Sequence, residues 1–463
     1  MIKKLFNYIP FFLLIALVSC NSSPKNVSTY FGGKIINPKS KYVILYSKEE
    51  VVDTLFLDEN NKFFGKLENA KEGLYYFIHG KENQYIYLEP QDSLMLRLNT
   101  WDFDESLVFA GKGAERNNIL IDCFLEDEKD EKNFYIFNNL DPDKFKWKID
   151  SLINTKLITY NYYIENHTDE TEGYRDILKV ALTYPLFARA ERYPIMYVKH
   201  SNSKEFPEIK NSFYTYRETL NFNKDSLMYY APYITYVRNY LYNVTYSLGH
   251  KPMTNEYSSN FTVDLLKTIN TKISSEKSKN AFLKQTVLGH FYRKSSCNVN
   301  QNAFETFFDL SSNKEDKSII KKLLADNKSL HKGNKIPDFS IIDFNKTRHS
   351  IKEIITDKNT FLFFWNPEFV SKEYISSRIG FLSNKFPEIQ FIQVKINGSK
   401  NDKIDQLDIK NQFFIDTKSK DNSFLTSKMP RVILINKKGI VENGYASISS
   451  KNIHSQLKKL SEK

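Results

Sequence analysis

The hydrophobic rhythm of the chain changes twice. Over residues 32–111, short β-type runs such as Tyr42-Val43-Ile44-Leu45-Tyr46, Tyr85-Ile86-Tyr87-Leu88 and Leu94-Met95-Leu96-Arg97-Leu98 alternate with turn-rich stretches at 58–61, 71–73 and 89–92. Short strands with frequent turn signals predict a small antiparallel β-sandwich. Over 112–333 the pattern becomes helical. Apolar and aromatic residues recur three and four apart across 145–165, 174–200, 229–248 and 261–293, which predicts a central all-α region. Beyond the polar joint Lys332-Gly333-Asn334-Lys335, strands are expected at 360–365, 388–396, 413–416 and 428–435, with helices at 350–355, 367–385 and 451–460. Such alternation predicts a mixed sheet covered by helices on both faces. The expected class is multidomain α+β, with a β-sandwich at 32–111, a helical domain at 112–333 and an α/β domain at 334–463.

The first residues carry an address. Lys3 and Lys4 precede an apolar stretch, 5–18, that is short for a membrane span. Leu17-Val18-Ser19-Cys20 resembles a bacterial lipobox, in which the cysteine is diacylated and becomes the new N-terminus. The polar residues that follow read as a tether rather than a stop-transfer flank. A signal peptide at 1–19, lipidation of Cys20 and a tether over 20–31 are therefore expected. By resemblance to lipoprotein sorting patterns, the absence of an acidic cluster after Cys20 favours the periplasmic face of the outer membrane within the cell envelope.

Loss of Lys3 and Lys4 takes the formal charge from +11 to +9. A basic surface often signals nucleic acid, but the export signal argues against that partner. Lysines are interleaved with acids, as in Glu126-Asp127-Glu128-Lys129-Asp130-Glu131-Lys132. That is solvated surface, with at most a weak attraction to anionic lipid or glycan. Cys123 and Cys297 are the remaining cysteines; they could pair in an oxidising compartment or stay as buried free thiols.

Phe361 to Lys372 reads FLFFWNPEFVSK, an apolar strand, an aromatic-Trp pair and a turn into a helix start. This resembles the point where thioredoxin-like disulfide reductases carry Cys-x-x-Cys. The opening Ile336-Pro337-Asp338-Phe339-Ser340 resembles the TlpA/ResA-like branch of that superfamily, and Met429-Pro430 matches the position of its cis-proline. The resemblance implies a thioredoxin-like C-terminal domain. It breaks at the chemistry, because the two cysteine positions hold Phe369 and Lys372. Exchange needs a thiolate with a lowered pKa and a resolving thiol, so no catalytic residue is assigned. Trp365, Phe369, Met429 and Pro430 could form an apolar groove for an extended peptide, or the groove could be filled in. Gly33-x-Ile35-x-Asn37-Pro38, the Tyr87–Leu94 turn YLEPQDSL and the closing Phe109–Asn117 stretch FAGKGAERN resemble the N-terminal β-domain of thioredoxin-like lipoproteins. The stretch 221–244 resembles their helical insert.

No other chemistry stands out. Gly111-Lys112-Gly113 lacks phosphate-loop spacing, and a strand-to-helix junction is expected there. The eight histidines fall in no metal pattern, and no cofactor is implied. Tyr229, Tyr230, Tyr233, Tyr236, Tyr240, Tyr242 and Tyr246 could stack on sugars or line a helical core. The expected function is a redox-inactive, membrane-anchored lipoprotein that binds an envelope protein or peptide. The alternatives are a thiol-disulfide oxidoreductase acting through Cys123 or Cys297, and a glycan-binding accessory lipoprotein.

Overall fold

The computed structural model of the chain describes residues 28–253, 258–293, 301–367, 369–396, 403–415 and 430–462. They divide into two compact units. The first runs to Ser203 and adds 207–220 and 226–239; the second takes 204–206, 221–225 and everything from Tyr240. The helical stretch expected to stand alone at 112–333 is thus shared between the two units.

The first unit opens with β1 (Ser28–Ile36), β2 (Tyr42–Ser47), β3 (Glu50–Phe56), β4 (Lys62–Glu68), β5 (Gly73–His79), β6 (Glu82–Leu88), β7 (Ser93–Asn99) and β8 (Val108–Lys112). These form two four-stranded sheets, ordered β4-β1-β7-β8 and β3-β2-β5-β6. Phe31, Val43, Leu45, Phe77, Leu94 and other inward residues of both sheets share one hydrophobic core. The period of two is plain in β4, where Phe63, Gly65 and Leu67 are buried and the residues between them exposed.

Two expectations are corrected here. The strand begins at Ser28 rather than 32, because Thr29 and Phe31 are fully buried and β1 runs straight through Gly32-Gly33. Nor is the region wholly antiparallel, since β1 and β7 pair in parallel. A tight hairpin dictates direction only for consecutive strands, and five strands intervene between this pair.

Helices α1 (Ala114–Phe137), α2 (Pro142–Asn166) and α3 (Glu172–Ser201) follow, and α4 (Ala231–Tyr246) contains the division between the units. Cap chemistry fixes two of the starts. The Asp141 carboxylate accepts from the Lys144 N–H at 3.0 Å ahead of Pro142, and the Thr171 hydroxyl accepts from the Tyr174 N–H at 3.2 Å.

In the second unit the helix expected over 261–293 is two, α5 (Ser259–Lys272) and α6 (Glu276–Arg293). Ile273 turns extended and is buried, and the Ser275 hydroxyl accepts from the Ser278 N–H to begin the next helix. Then come α7 (Gln301–Leu310), α8 (Lys314–Ser329), β9 (Ser340–Asp343), β10 (Arg348–Ser350), α9 (Ile351–Ile354), β11 (Thr360–Trp365), α10 (Lys372–Lys385), β12 (Gln390–Lys395), β13 (Gln412–Ile415), β14 (Arg431–Ile435), β15 (Val441–Ala446) and α11 (Ile453–Ser461). The strands make one sheet, ordered β10-β9-β13-β12-β11-β14-β15. Phe361, Phe363 and Trp365 of β11 pack with Ile375, Ile379 and Leu457 from α10 and α11 on one face. Leu362 and Phe364 pack with Phe339 and with Ile351 of α9 on the other. Burial on both faces is why β11 reads as an unbroken apolar run.

Candidate functional site at the end of the central strand

β11 lies parallel to β12 and antiparallel to β14, and its C-terminal end delivers the chain to α10. Parallel strand ends of this kind commonly border ligand sites. The Asn366 carbonyl accepts from the N–H groups of Phe369 and Val370 at 3.0 and 3.1 Å, closing a tight turn. Ser371 then caps α10, its hydroxyl accepting from the Tyr374 N–H at 3.3 Å. The helix therefore begins at Lys372 and not at Pro367. Phe369 sits in the turn before it, so the two positions do not share a first helical turn.

The four residues expected to line a groove have different fates. Trp365 is only 2% exposed and belongs to the core beneath α10, so it presents no surface to a ligand. Phe369 is 56% exposed, and Pro430 is half-buried at the start of β14. Met429 lies outside the described residues, and with it the peptide bond to Pro430. Lys372 is half-buried. Its cation opens a helix whose positive dipole end would favour a thiolate, an arrangement opposite to the one exchange chemistry uses.

Arg431, next to Pro430, is the feature sequence reasoning missed. Its guanidinium makes a bidentate pair with Asp326 of α8 at 2.7 and 3.1 Å, with the Tyr445 ring centroid 4.4 Å away. Burial works against this charge, but Asp326 and Tyr445 outweigh it and hold the guanidinium above its ordinary pKa. An arginine opening an otherwise apolar strand was the available signal; its partner, far away in sequence, was not readable.

The remaining candidates resolve into structure. Cys123 is a buried free thiol whose pKa burial pushes up to about 12, so it is protonated and inert at neutral pH. Cys20 and Cys297 lie outside the described residues. The YLEPQDSL and FAGKGAERN motifs meet around Arg116, whose guanidinium pairs with Glu89 and, at 2.9 Å, with Asp92. Burial holds the Asp92 carboxyl above its ordinary pKa, against the pull of the Glu89 N–H and Arg116. Asn117 accepts from the Tyr87 N–H and donates to its carbonyl. Gly111 has φ +88°, and a Cβ there would lie 2.0 Å from the Ser93 carbonyl oxygen, so Gly111-Lys112-Gly113 is a strand-to-helix junction.

Of the tyrosines, Tyr230, Tyr233, Tyr236 and Tyr240 are buried, and Tyr229 donates to the Leu74 carbonyl at 2.6 Å. They line cores rather than a platform. Among the described residues no cluster of His, Cys, Asp and Glu could hold a metal ion, and no helix is long and apolar enough to cross a membrane.

The β11–α10–β12 parallel crossover, the antiparallel β14–β15 pair and the closing α11 follow the element order of a thioredoxin-like fold. No family model matches the chain, and no curated protein matches it. Solved structures similar to part of it include the following three. A protein described as a thiol-disulfide oxidoreductase from Bacteroides vulgatus is 20% identical, with TM-score 0.25, covering 28% of this chain and 98% of its own. A thiol:disulfide interchange protein from Bacteroides sp. is 16% identical, with TM-score 0.25, covering 29% and 93%. The exposed lipoprotein thioredoxin Etrx1 of Streptococcus pneumoniae is 18% identical, with TM-score 0.21, covering 27% and 99%.

Proposed function

We propose that the chain is a lipid-anchored envelope protein in which an N-terminal β-sandwich and a set of helices accompany a redox-inactive thioredoxin-like domain, and that this domain binds a protein or peptide. The observation that carries the reading is the exposed Phe369 at the end of β11, where the resemblance would put the attacking thiol. A phenyl ring there offers apolar contact and no electron pair for disulfide attack. Burial of Cys123 counts against exchange through that residue, and burial of the helical tyrosines counts against sugar stacking on them. Cys20 supplies the anchor, and the periplasmic face of the outer membrane is the proposed location.

The test is crosslinking capture from a native envelope fraction, with the lipidated protein beside Phe369→Ala. Capture of a defined partner by the first and its loss in the second is the expected result. Equal capture by both would refute the site. Catalytic turnover of a disulfide substrate by the wild-type chain would refute the redox-inactive reading.

A further inference from the structure

The outer face of the β4-β1-β7-β8 sheet carries exposed side chains at Lys34, Lys62, Phe64, Arg97 and Val108, with Tyr30 and Met95 half-buried among them, and its registers place side chains in rows. Lys62, Lys34, Arg97 and Val108 lie opposite one another across the four strands. The next row is Phe64, Gly32, Met95 and Ala110, and the one after is Lys66, Tyr30, Ser93 and Lys112. Glu68 is the one acid on these strands' outer positions, and it pairs with Lys66 at 3.1 Å. Among the described residues no carboxylate pairs with the side chains of Lys34, Lys62 or Arg97.

Like charges directly opposite in a sheet repel, so this row works against the fold. Beside it, Phe64 is 62% exposed although it stacks on Tyr30 at 5.5 Å. A Cβ on Gly32 would lie 3.1 Å from Phe64 and 3.2 Å from the Met95 sulfur, so the glycine lets both side chains lean across β1. A depression of about 590 Å³ is lined there by Lys34, Phe56, Asp58, Lys62, Phe64 and Met95, among others. Aromatic and apolar groups flanked by unpaired cations suit the headgroup zone of an anionic bilayer.

Chain length agrees. β1 begins eight residues after Cys20, and eight residues span at most about 29 Å. A lipid on Cys20 would therefore keep the start of this face close to the headgroups, where even weak attraction suffices.

We propose that this face docks on anionic lipid headgroups, with Lys34, Lys62 and Arg97 as the charge-reading row. The proximity argument rests on the lipid-anchor reading; the surface itself does not. The test is co-sedimentation of the unlipidated chain from Asn21 onward, which keeps every described residue, with vesicles of phosphatidylcholine alone or with phosphatidylglycerol added. The variants are Lys34→Gln/Lys62→Gln/Arg97→Gln and, as a control, Lys129→Gln/Lys132→Gln/Lys314→Gln.

Each basic residue near an anionic surface contributes about fivefold to binding, so the first variant should bind phosphatidylglycerol vesicles about a hundredfold more weakly. The control should lose much less. The first variant should melt no lower than wild type, because repulsion is relieved. Equal binding by wild type and that variant overturns the proposal, as does equal binding to neutral vesicles. Binding to soluble heparin without binding to vesicles also overturns it, and assigns the face to a polyanion. Palmitate labelling of the full chain in cells, compared with Cys20→Ser, tests the anchor separately from the surface.

Discussion

Asp326→Ala should strongly destabilise the second unit, because it strands a buried charge. The carboxylate is fully buried and the Arg431 side chain is 5% exposed. Its loss leaves a guanidinium in the core whose Nε already has no hydrogen-bond partner among the described residues. Breaking such a pair from one side costs about 3–5 kcal/mol. With a urea dependence of about 3 kcal/mol/M for a unit of this size, the midpoint should fall by roughly 1–1.7 M. Tryptophan fluorescence isolates the event. Trp365 is buried in the second unit, whereas Trp101 and Trp147 are each 72% exposed in the first and hardly change environment on unfolding. Replacing both partners, Asp326→Leu/Arg431→Met, should recover most of the loss, because two apolar groups leave no stranded charge. A single-variant midpoint within about 0.3 M of wild type, under about 1 kcal/mol, would refute the assignment of a buried pair. A double variant as unstable as the single one would show that packing, not charge, carries the effect.

Three further outcomes are expected. Phe369→Cys/Lys372→Cys should form a reducible disulfide under mild oxidant, read as loss of two titratable thiols against the same variant reduced, which returns the count to that of the parent; failure to pair would count against the register at the end of β11. In a Cys297→Ser background, Cys123 should resist N-ethylmaleimide until the chain is unfolded. Because burial raises its pKa, the unfolded thiol ionises first, so its contribution to stability is present below about pH 8.5 and is lost as pH rises toward about 12; rapid native labelling would contradict this. His79 accepts from the Lys39 N–H at 3.0 Å through Nε2, so Nδ1 carries the proton and donates to the Tyr42 carbonyl at 3.1 Å. Burial lowers its pKa, so the unfolded state takes up the proton first and stability is lost as pH falls below about 6.5. Protection factors of the β2 amides, which already remove the intrinsic slowing of exchange, should fall from pH 7 to 5, and less so in His79→Gln.

The parts legible in the sequence were those written in local periodicity. β11 was readable to the residue, because six consecutive buried positions leave no other pattern. The start of α10 was not, since Pro367 imitates a first helical residue while Ser371, with its bond to the Tyr374 N–H, is the actual cap. Trp365 was placed at the right strand end, but which face it took depended on what packs there. The cationic row on the first sheet was invisible for the same reason. Lys34, Lys62 and Arg97 are far apart in sequence, and only the registers bring them opposite one another. The parallel pairing of β1 with β7 is a long-range fact that no turn signal encodes.

Stability and chemistry are separable at the end of β11. The sheet is held by apolar layers on both faces of that strand and by the Arg431–Asp326 pair, none of which involves residue 369 or 372. A thiol pair at those two positions would contribute little to the core, because Phe369 is exposed and Lys372 stands at a helix start. Residues 369 and 372 can therefore vary without removing the scaffold. A phenyl ring that is 56% exposed returns only part of its area to the fold, and a lysine at the first helical position opposes the helix dipole. Phe369 therefore adds less to the domain than a core phenylalanine would, so its removal can test contact with a second molecule without unfolding the sheet.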